Sequence, residues 1–105
     1  MKTILKANES IKIKKAANLF RGFEGVGGFL FVTNQKLIFE PHTLNIQRQP
    51  LEIDFKDIAK IKPRYTLYII SNGVSVIQKN GTEFKFVVWG RTSLITLLKS
   101  LCNIP

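Results

Sequence analysis

The C-terminal part of this chain contains three segments in which apolar and polar residues alternate, separated by two Asn-Gly pairs. The segments are residues 65–71, 74–79 and 82–89, and the pairs are Asn72-Gly73 and Asn80-Gly81. Asn-Gly between alternating segments is the strongest short-range signal for a β-hairpin. The sequence therefore predicts an antiparallel meander of three strands in this part of the chain.

The residues after the meander change from a period of two to a period near 3.6. Thr92 or Ser93 is suited to be the N-cap of a helix that continues to residue 102. Four leucines form one apolar stripe along this helix: Leu94, Leu97, Leu98 and Leu101. A helix this short is marginal in water, so we expect the leucine stripe to pack on the sheet.

Four further strands are predicted upstream of the meander. They cover residues 10–20, 29–33, 36–40 and 51–55. The glycine-rich segment 21–28 is predicted to be a flexible loop, and Asn34-Gln35 a tight turn. Ile58 and Ile61, three residues apart, predict one helical turn within residues 56–62 that Pro63 ends. Strand 29–33 is apolar on both faces, so we expect the C-terminal helix to cover the second face.

These elements predict a mainly β fold with one α-helix. Seven antiparallel strands of this length curl into a bent sandwich or barrel, and the C-terminal helix is the right size to cap its open end. At 105 residues, we expect a single domain over residues 1–105. Residues 1–10 contain no apolar segment typical of a signal peptide, so a cytoplasmic protein is expected.

The formal net charge of +9 favours a polyanionic partner. The positive charge is concentrated near the N-terminus and around residues 56–64. The candidate anion or membrane patch consists of Lys12, Lys14, Lys15, Arg21, Lys60, Lys62 and Arg64. A lysine-rich surface that only aids solubility is the alternative without a ligand. Nucleic acid is the alternative polyanion, although most of the eight phenylalanines occupy strand positions that predict a core.

No group of residues predicts catalysis. His42 is the single histidine, and no serine or cysteine nucleophile is recognisably placed beside it. Asp54 and Asp57 are interpreted as a strand residue and a turn residue, not as metal ligands. Cys102 is interpreted as a packing residue. Trp89 is also interpreted as a packing residue, and a contribution to an interface is the alternative. We therefore expect no enzyme activity, no cofactor, no metal and no small-molecule substrate.

Several segments together resemble the GRAM domain family, a branch of the pleckstrin-homology-like (PH-like) fold. They are Ala17-Asn18-Leu19, the glycine-led hairpin 28–39 (GFLFVTNQKLIF), the strand and Asp-Ile turn 53–61 (IDFKDIAKI) and the segment 81–86 (GTEFKF). The final helix of the family often opens with Trp, whereas Leu94 takes that place here and Trp89 lies at the strand end.

The resemblance implies a non-enzymatic binding or adaptor module, peripheral at the inner membrane face or bound to a protein partner. In PH-like domains that bind phosphoinositides, the loop between the first two strands carries several basic residues. The corresponding segment 21–28 contains Arg21 and Glu24, and is therefore unlike that pattern. The function expected from the sequence is binding to a protein or weak contact with anionic lipid.

Overall fold

A computed structural model describes residues 3–21, 24–42, 50–66 and 70–105. In these residues, seven antiparallel strands form one sheet: β1 (Ile11–Arg21), β2 (Glu24–Thr33), β3 (Lys36–Pro41), β4 (Leu51–Asp54), β5 (Ile58–Thr66), β6 (Ile70–Gln78) and β7 (Glu83–Val88). A short 3₁₀ turn, Phe55–Asp57, joins β4 to β5, and helix α1 spans Arg91–Cys102. The predicted fold class is therefore confirmed.

The sheet has the strand order β4-β3-β2-β1-β7-β6-β5, so the described part leaves β4 and β5 at its edges. Its inner face holds a continuous core that includes Leu30, Phe39, Val76 and Phe86. In α1, Leu94 and Leu98 are buried in that core, while Leu97 and Leu101 are partly buried against it. The predicted role of the leucine stripe is confirmed.

The prediction of a loop over residues 21–28 is wrong, because most of this segment belongs to a long β1–β2 hairpin. The ladder continues to the pair Arg21 and Glu24, and residues 22 and 23 lie outside the described part. Val26 is buried opposite Leu19, which gives this end of the hairpin its own contact with the core. Glycine is needed at Gly28, where a Cβ would lie 2.2 Å from the carbonyl oxygen of Glu40.

The prediction of a turn at Asn72-Gly73 is also wrong. Gly73 lies within β6 and pairs with Arg64 on one side and Val87 on the other. The predicted strand 65–71 is therefore divided between β5 and β6, and their connection, residues 67–69, lies outside the described part. The Asn80-Gly81 turn is confirmed, with Gly81 at a φ of +92°.

The helical turn predicted over residues 56–62 is shorter than expected and lies earlier. Only Phe55–Asp57 is helical, whereas Ile58 and Ile61 both belong to β5 and are buried. In a regular strand, residues three apart point to opposite faces. A bulge between Ile58 and Lys60 instead turns Ile58 and Ile61 to the same face. Pro63 lies inside β5 and does not end an element, which an edge strand allows because proline lacks a backbone donor.

Helix α1 begins differently from the prediction. Its N-cap is Gly90, in a left-handed conformation, and no side chain caps the helix. Ser93 is already inside the first turn and its hydroxyl donates to the Gly90 carbonyl. The Arg91 guanidinium donates to the carbonyls of Arg64 and Gly73, which ties the start of the helix to β5 and β6.

The prediction that the helix covers the second face of β2 is wrong. It packs on β5, β6 and the 3₁₀ turn. Phe31 and Ile38 are nevertheless buried on the outer face of the sheet. Residues near the N-terminus are tied to this side, because the Thr3 amide donates to Glu40 and the Glu9 carboxylate accepts from Thr33.

Candidate functional site

Strand β5 presents three basic side chains on the outer face of the sheet. Lys60, Lys62 and Arg64 alternate with buried Ile61 and with Pro63, so they share one side of the strand. In the neighbouring strands, Lys62 pairs with Ser75, which in turn pairs with Lys85 of β7. We call these four side chains the basic face: Lys60, Lys62, Arg64 and Lys85.

One carboxylate lies within the basic face. Glu83 accepts a 2.6 Å hydrogen bond from the hydroxyl of Ser75, a residue that is almost fully buried. This hydrogen bond lowers the pKa of Glu83, and the positive charges of Lys85, Arg64 and Lys62 add to the effect. Glu83 therefore stays ionised and offsets part of the charge, while the face keeps a net positive charge.

The basic residues of β1 belong to a different region. Lys12 and Lys14 are exposed, and the Lys14 ammonium lies 4.4 Å from the centre of the Phe29 ring. The Lys15 ammonium donates to the Trp89 carbonyl at 3.1 Å. Arg21 ends β1, but its side chain is outside what the structure describes.

The register separates these two groups of basic residues. Arg64, Gly73, Val87 and Asn18 form one row across the sheet. Lys14 lies four residues from Asn18, about 13 Å along the strand, and three strand spacings, about 14 Å, from β5. The residues predicted as one patch therefore divide between the basic face and a separate group on β1. Lys85 joins the basic face only through the pairing of β6 with both β5 and β7, and no local sequence pattern indicates the register between β5 and β6.

A shallow groove with a volume of about 200 Å³ lies on the outer face beside the β1 group. Its lining includes the small residues Ala16 and Gly27 and the side chains of Asn18, His42 and Trp89. A Cβ at Gly27 would lie 3.3 Å from the His42 ring and 3.4 Å from the Asn18 amide oxygen, so both polar groups approach this glycine closely. The His42 ring meets Phe29 edge to face, with 5.3 Å between ring centres.

The prediction that Trp89 is a packing residue is wrong. Its side chain is 80% exposed and is not a packing residue of the core. Phe86 and Val88 of β7 are buried on the core face, so continued alternation turns position 89 outward. That alternation was available in the sequence and is the signal that could have identified Trp89 as a surface residue.

A third cluster of charged residues has a structural role on the outer face. The Lys36 ammonium lies 2.6 Å from Glu52 and 3.6 Å from buried Glu9. Burial alone would raise the pKa of Glu9, but hydrogen bonds from Thr33 and the Lys6 amide, together with Lys36, hold it below its usual value. The hydrogen bond to Glu52 raises the pKa of Lys36. These groups are paired with one another and are not available to a ligand.

The remaining candidates carry no recognisable chemistry. Burial raises the pKa of the Cys102 thiol to about 11, and its side chain packs against the core. Asp54 ends β4 and exposed Asp57 lies in the 3₁₀ turn. Across residues 3–21, 24–42, 50–66 and 70–105, no three His, Cys, Asp or Glu side chains group in a way that could hold a metal ion. In the same ranges, no helix has the length and hydropathy needed to cross a membrane.

Two solved structures resemble the fold closely. The C-terminal domain of an unknown protein from Leishmania infantum is 19% identical, with a TM-score of 0.80 over 92% of this chain and 87% of that one. The Vps36 N-terminal PH domain is 14% identical, with a TM-score of 0.76 over 95% of this chain and 83% of that one. At these identities, the structures show a PH-like fold.

The sequence comparisons add the family. No curated protein sequence matches the chain. The family model for the GRAM domain matches residues 1–102. GRAM and PH-like domains are in general non-enzymatic binding modules, and neither comparison supports nucleic-acid binding. Because the match extends over nearly the whole sequence, the chain belongs to the GRAM domain family.

Proposed function

We propose that residues 1–105 form a single GRAM domain that acts without catalysis or cofactor, as a binding or adaptor module. Its partners are an anionic membrane surface, which the basic face contacts, and a protein. The proposed location is the cytoplasm, with peripheral attachment to the inner membrane face. The observation that supports membrane contact most strongly is the alignment of Lys62 and Lys85 on either side of Ser75, with Arg64 and Lys60 on the same face.

The expected affinity is low. A basic residue close to an anionic membrane contributes about 1 kcal/mol, so four such residues offset by Glu83 contribute about 3 kcal/mol. This free energy corresponds to roughly a hundredfold enrichment at the surface. Contact of this kind falls steeply with salt concentration, because the interacting charges are exposed and screened.

We do not propose that the chain recognises one particular lipid headgroup. The end of the β1–β2 hairpin, which carries the basic cluster in PH-like domains that bind phosphoinositides, has Arg21 and Glu24 here. The basic face instead lies on the sheet surface formed by β5 and β7. We therefore expect binding to depend on the charge density of the lipid and not on its headgroup.

Co-sedimentation with vesicles tests this proposal. The chain is mixed with phosphatidylserine-containing vesicles and with neutral phosphatidylcholine vesicles, at low and at physiological salt. We expect binding only to the anionic vesicles, and much less of it at physiological salt. Single-stranded DNA and RNA are tested under the same conditions, because preferential binding to either would favour the alternative polyanion.

Two double variants locate the contact. Lys62→Glu with Lys85→Glu should remove vesicle binding, because it reverses the charge at the centre of the basic face. Lys12→Glu with Lys14→Glu changes the net charge equally and should reduce binding only slightly. Equal losses in the two variants would show that net charge alone drives binding, and would refute the assignment to the basic face.

A further inference from the structure

The groove lined by Ala16, His42 and Trp89 has the features of a docking site for a protein segment. Ala16 pairs with Phe29 on β2, and Ala17 pairs with Val88, the residue before Trp89. The strands that carry the two aromatic residues are therefore separated by β1 alone, about 10 Å apart. The intervening position, Ala16, is a small residue that lines the groove with Gly27 and His42, which leaves a slot beside Trp89.

The groove is the right size for one large side chain. Its volume of about 200 Å³ is below the range of about 300–1,000 Å³ typical of pockets for cofactors and drug-sized ligands. Trp89 is 80% exposed, and exposed tryptophan beside a depression is a common anchor in protein interfaces. An apolar side chain inserted over Ala16 would contact Trp89 and the His42 ring, which both line the groove.

The positive charge of Lys14 beside the groove favours an acidic segment. The Lys14 ammonium lies over the Phe29 ring, and Lys14 is on the same face of β1 as Ala16, two residues away. No carboxylate belongs to the described residues that line the groove. Glu40, which pairs with Phe29 across the sheet, is buried, and its carboxylate already accepts a hydrogen bond from the Thr3 amide.

Two other occupants fit less well. Hydrocarbon would leave the Asn18 amide and the His42 imidazole without hydrogen-bond partners, which carries a free-energy cost, whereas a peptide backbone can pair with both. A second copy of the chain would bring another molecule of net charge +9 against a positively charged groove.

We propose that this groove docks a short acidic segment of a partner protein, with one aromatic or large aliphatic side chain inserted over Ala16, between Trp89 and His42. The site is separate from the basic face, so it can be present whether or not the chain binds membranes. Its central feature is the exposed Trp89 beside the small residue Ala16, with the ammonium of exposed Lys14 on the same face.

The intrinsic fluorescence of the chain gives a direct test, because Trp89 is the single tryptophan. The probe is a short synthetic peptide with a central phenylalanine flanked by aspartates, titrated into the full chain. We expect a saturable blue shift of the Trp89 emission as the side chain becomes buried. Two control peptides replace the aspartates with lysines or the phenylalanine with serine, and neither should produce the shift.

Three variants complete the experiment, with anisotropy of the labelled peptide as a readout that does not need Trp89. Lys14→Glu should weaken binding at least about tenfold, and Ala16→Leu should do the same by filling the slot at an exposed position. Lys60→Glu, a charge reversal on the basic face, should leave peptide binding unchanged. Circular dichroism of each variant shows whether it is folded.

Several results would refute the proposal. They are the absence of saturable binding by the acidic peptide, equal binding of the lysine peptide, and full binding to folded Ala16→Leu. A blue shift with anionic vesicles but not with the peptide would assign the groove to lipid. A blue shift that depends on protein concentration alone would assign it to a second copy of the chain.

Discussion

The Lys14 ammonium lies 4.4 Å from the centre of the Phe29 ring and 5.6 Å from that of Phe31. This contact follows from the register, which pairs Lys14 with Phe31 and turns both to the outer face of the sheet. Phe31 is buried there although it lies outside the main core cluster. Lys14 thus both contacts an apolar surface and carries charge at the edge of the groove.

Replacing Lys14 with glutamine should have a small but measurable effect on stability. An exposed cation–π contact contributes about 0.5–1 kcal/mol, and we expect Lys14→Gln to lower the free energy of unfolding by that amount. Lys12→Gln is the matched control because Lys12 is exposed on the same strand. Urea denaturation measures both, and equal losses would argue against a contribution from the aromatic contact.

Gly28 should tolerate no side chain. The Cβ of an alanine would lie 2.2 Å from the Glu40 carbonyl oxygen and 2.9 Å from the Phe39 ring, so β3 would have to move. We expect Gly28→Ala to lower the free energy of unfolding by about 3 kcal/mol. At Gly25 the same Cβ would lie 3.6 Å from Phe20, an ordinary contact, so Gly25→Ala is the control. Similar melting temperatures for both variants would contradict this packing.

Gly81 should be sensitive for a different reason. Its φ is +92° and nothing lies within 4 Å of a Cβ placed there, so backbone conformation alone opposes a side chain. We expect Gly81→Ala to cost about 1 kcal/mol, and Gly81→Asn to cost less because asparagine tolerates positive φ better. Thermal denaturation can rank the two variants, and the opposite order would contradict the assigned turn.

Acid should weaken the fold through Glu9. The pKa of this carboxyl in the folded chain lies below its ordinary value of 4.5, so the unfolded chain binds the proton more readily. The stabilising contribution is therefore complete above about pH 4.5 and is lost as the pH falls through the lower folded pKa. The lowered pKa of Glu83 acts in the same direction.

The variant Glu9→Gln distinguishes the contribution of Glu9 to the pH dependence of stability from that of the other carboxylates. Glu9→Gln should cost about 1–3 kcal/mol at neutral pH, because it removes a buried charged hydrogen-bond acceptor. It should also lose less stability on acidification than the unchanged chain. Asp57→Asn is the control, because Asp57 is exposed in the 3₁₀ turn. Urea denaturation at neutral and acidic pH gives both quantities, and an unchanged pH dependence in Glu9→Gln would refute the role of Glu9.

The sequence predicted those parts of the fold that depend on local periodicity. The leucine stripe of α1, the number of strands and the Asn80-Gly81 turn depend on neighbouring residues, and all are confirmed. Asn72-Gly73 carries the same local signal as the second pair, but β5 and β7 pair with Gly73 on both sides. Tertiary pairing therefore decides which Asn-Gly becomes a turn, and this information is absent from the local pattern.

The binding surfaces were harder to predict because they depend on register. Lys60, Lys62 and Arg64 were recognisable as basic residues, but their alignment with Lys85 requires the pairing of β5, β6 and β7. The bulge between Ile58 and Lys60 also forms only when β5 pairs with β6. It places Ile58 and Ile61 on one face, and their separation of three residues therefore resembled that of a helix. Likewise, Glu9 meets Thr33 across 24 positions of sequence, a contact that no short-range pattern contains.

Nuclear magnetic resonance of the full chain on nanodiscs shows directly whether the basic face contacts anionic membrane. Spin-labelled lipid is added to phosphatidylserine-containing and to neutral discs. We expect signal loss at Lys60, Lys62, Arg64 and Lys85 on the anionic discs alone, with little loss at the Asn34-Gln35 turn. Signal loss centred elsewhere, or none on anionic discs at low salt, would contradict the proposed contact.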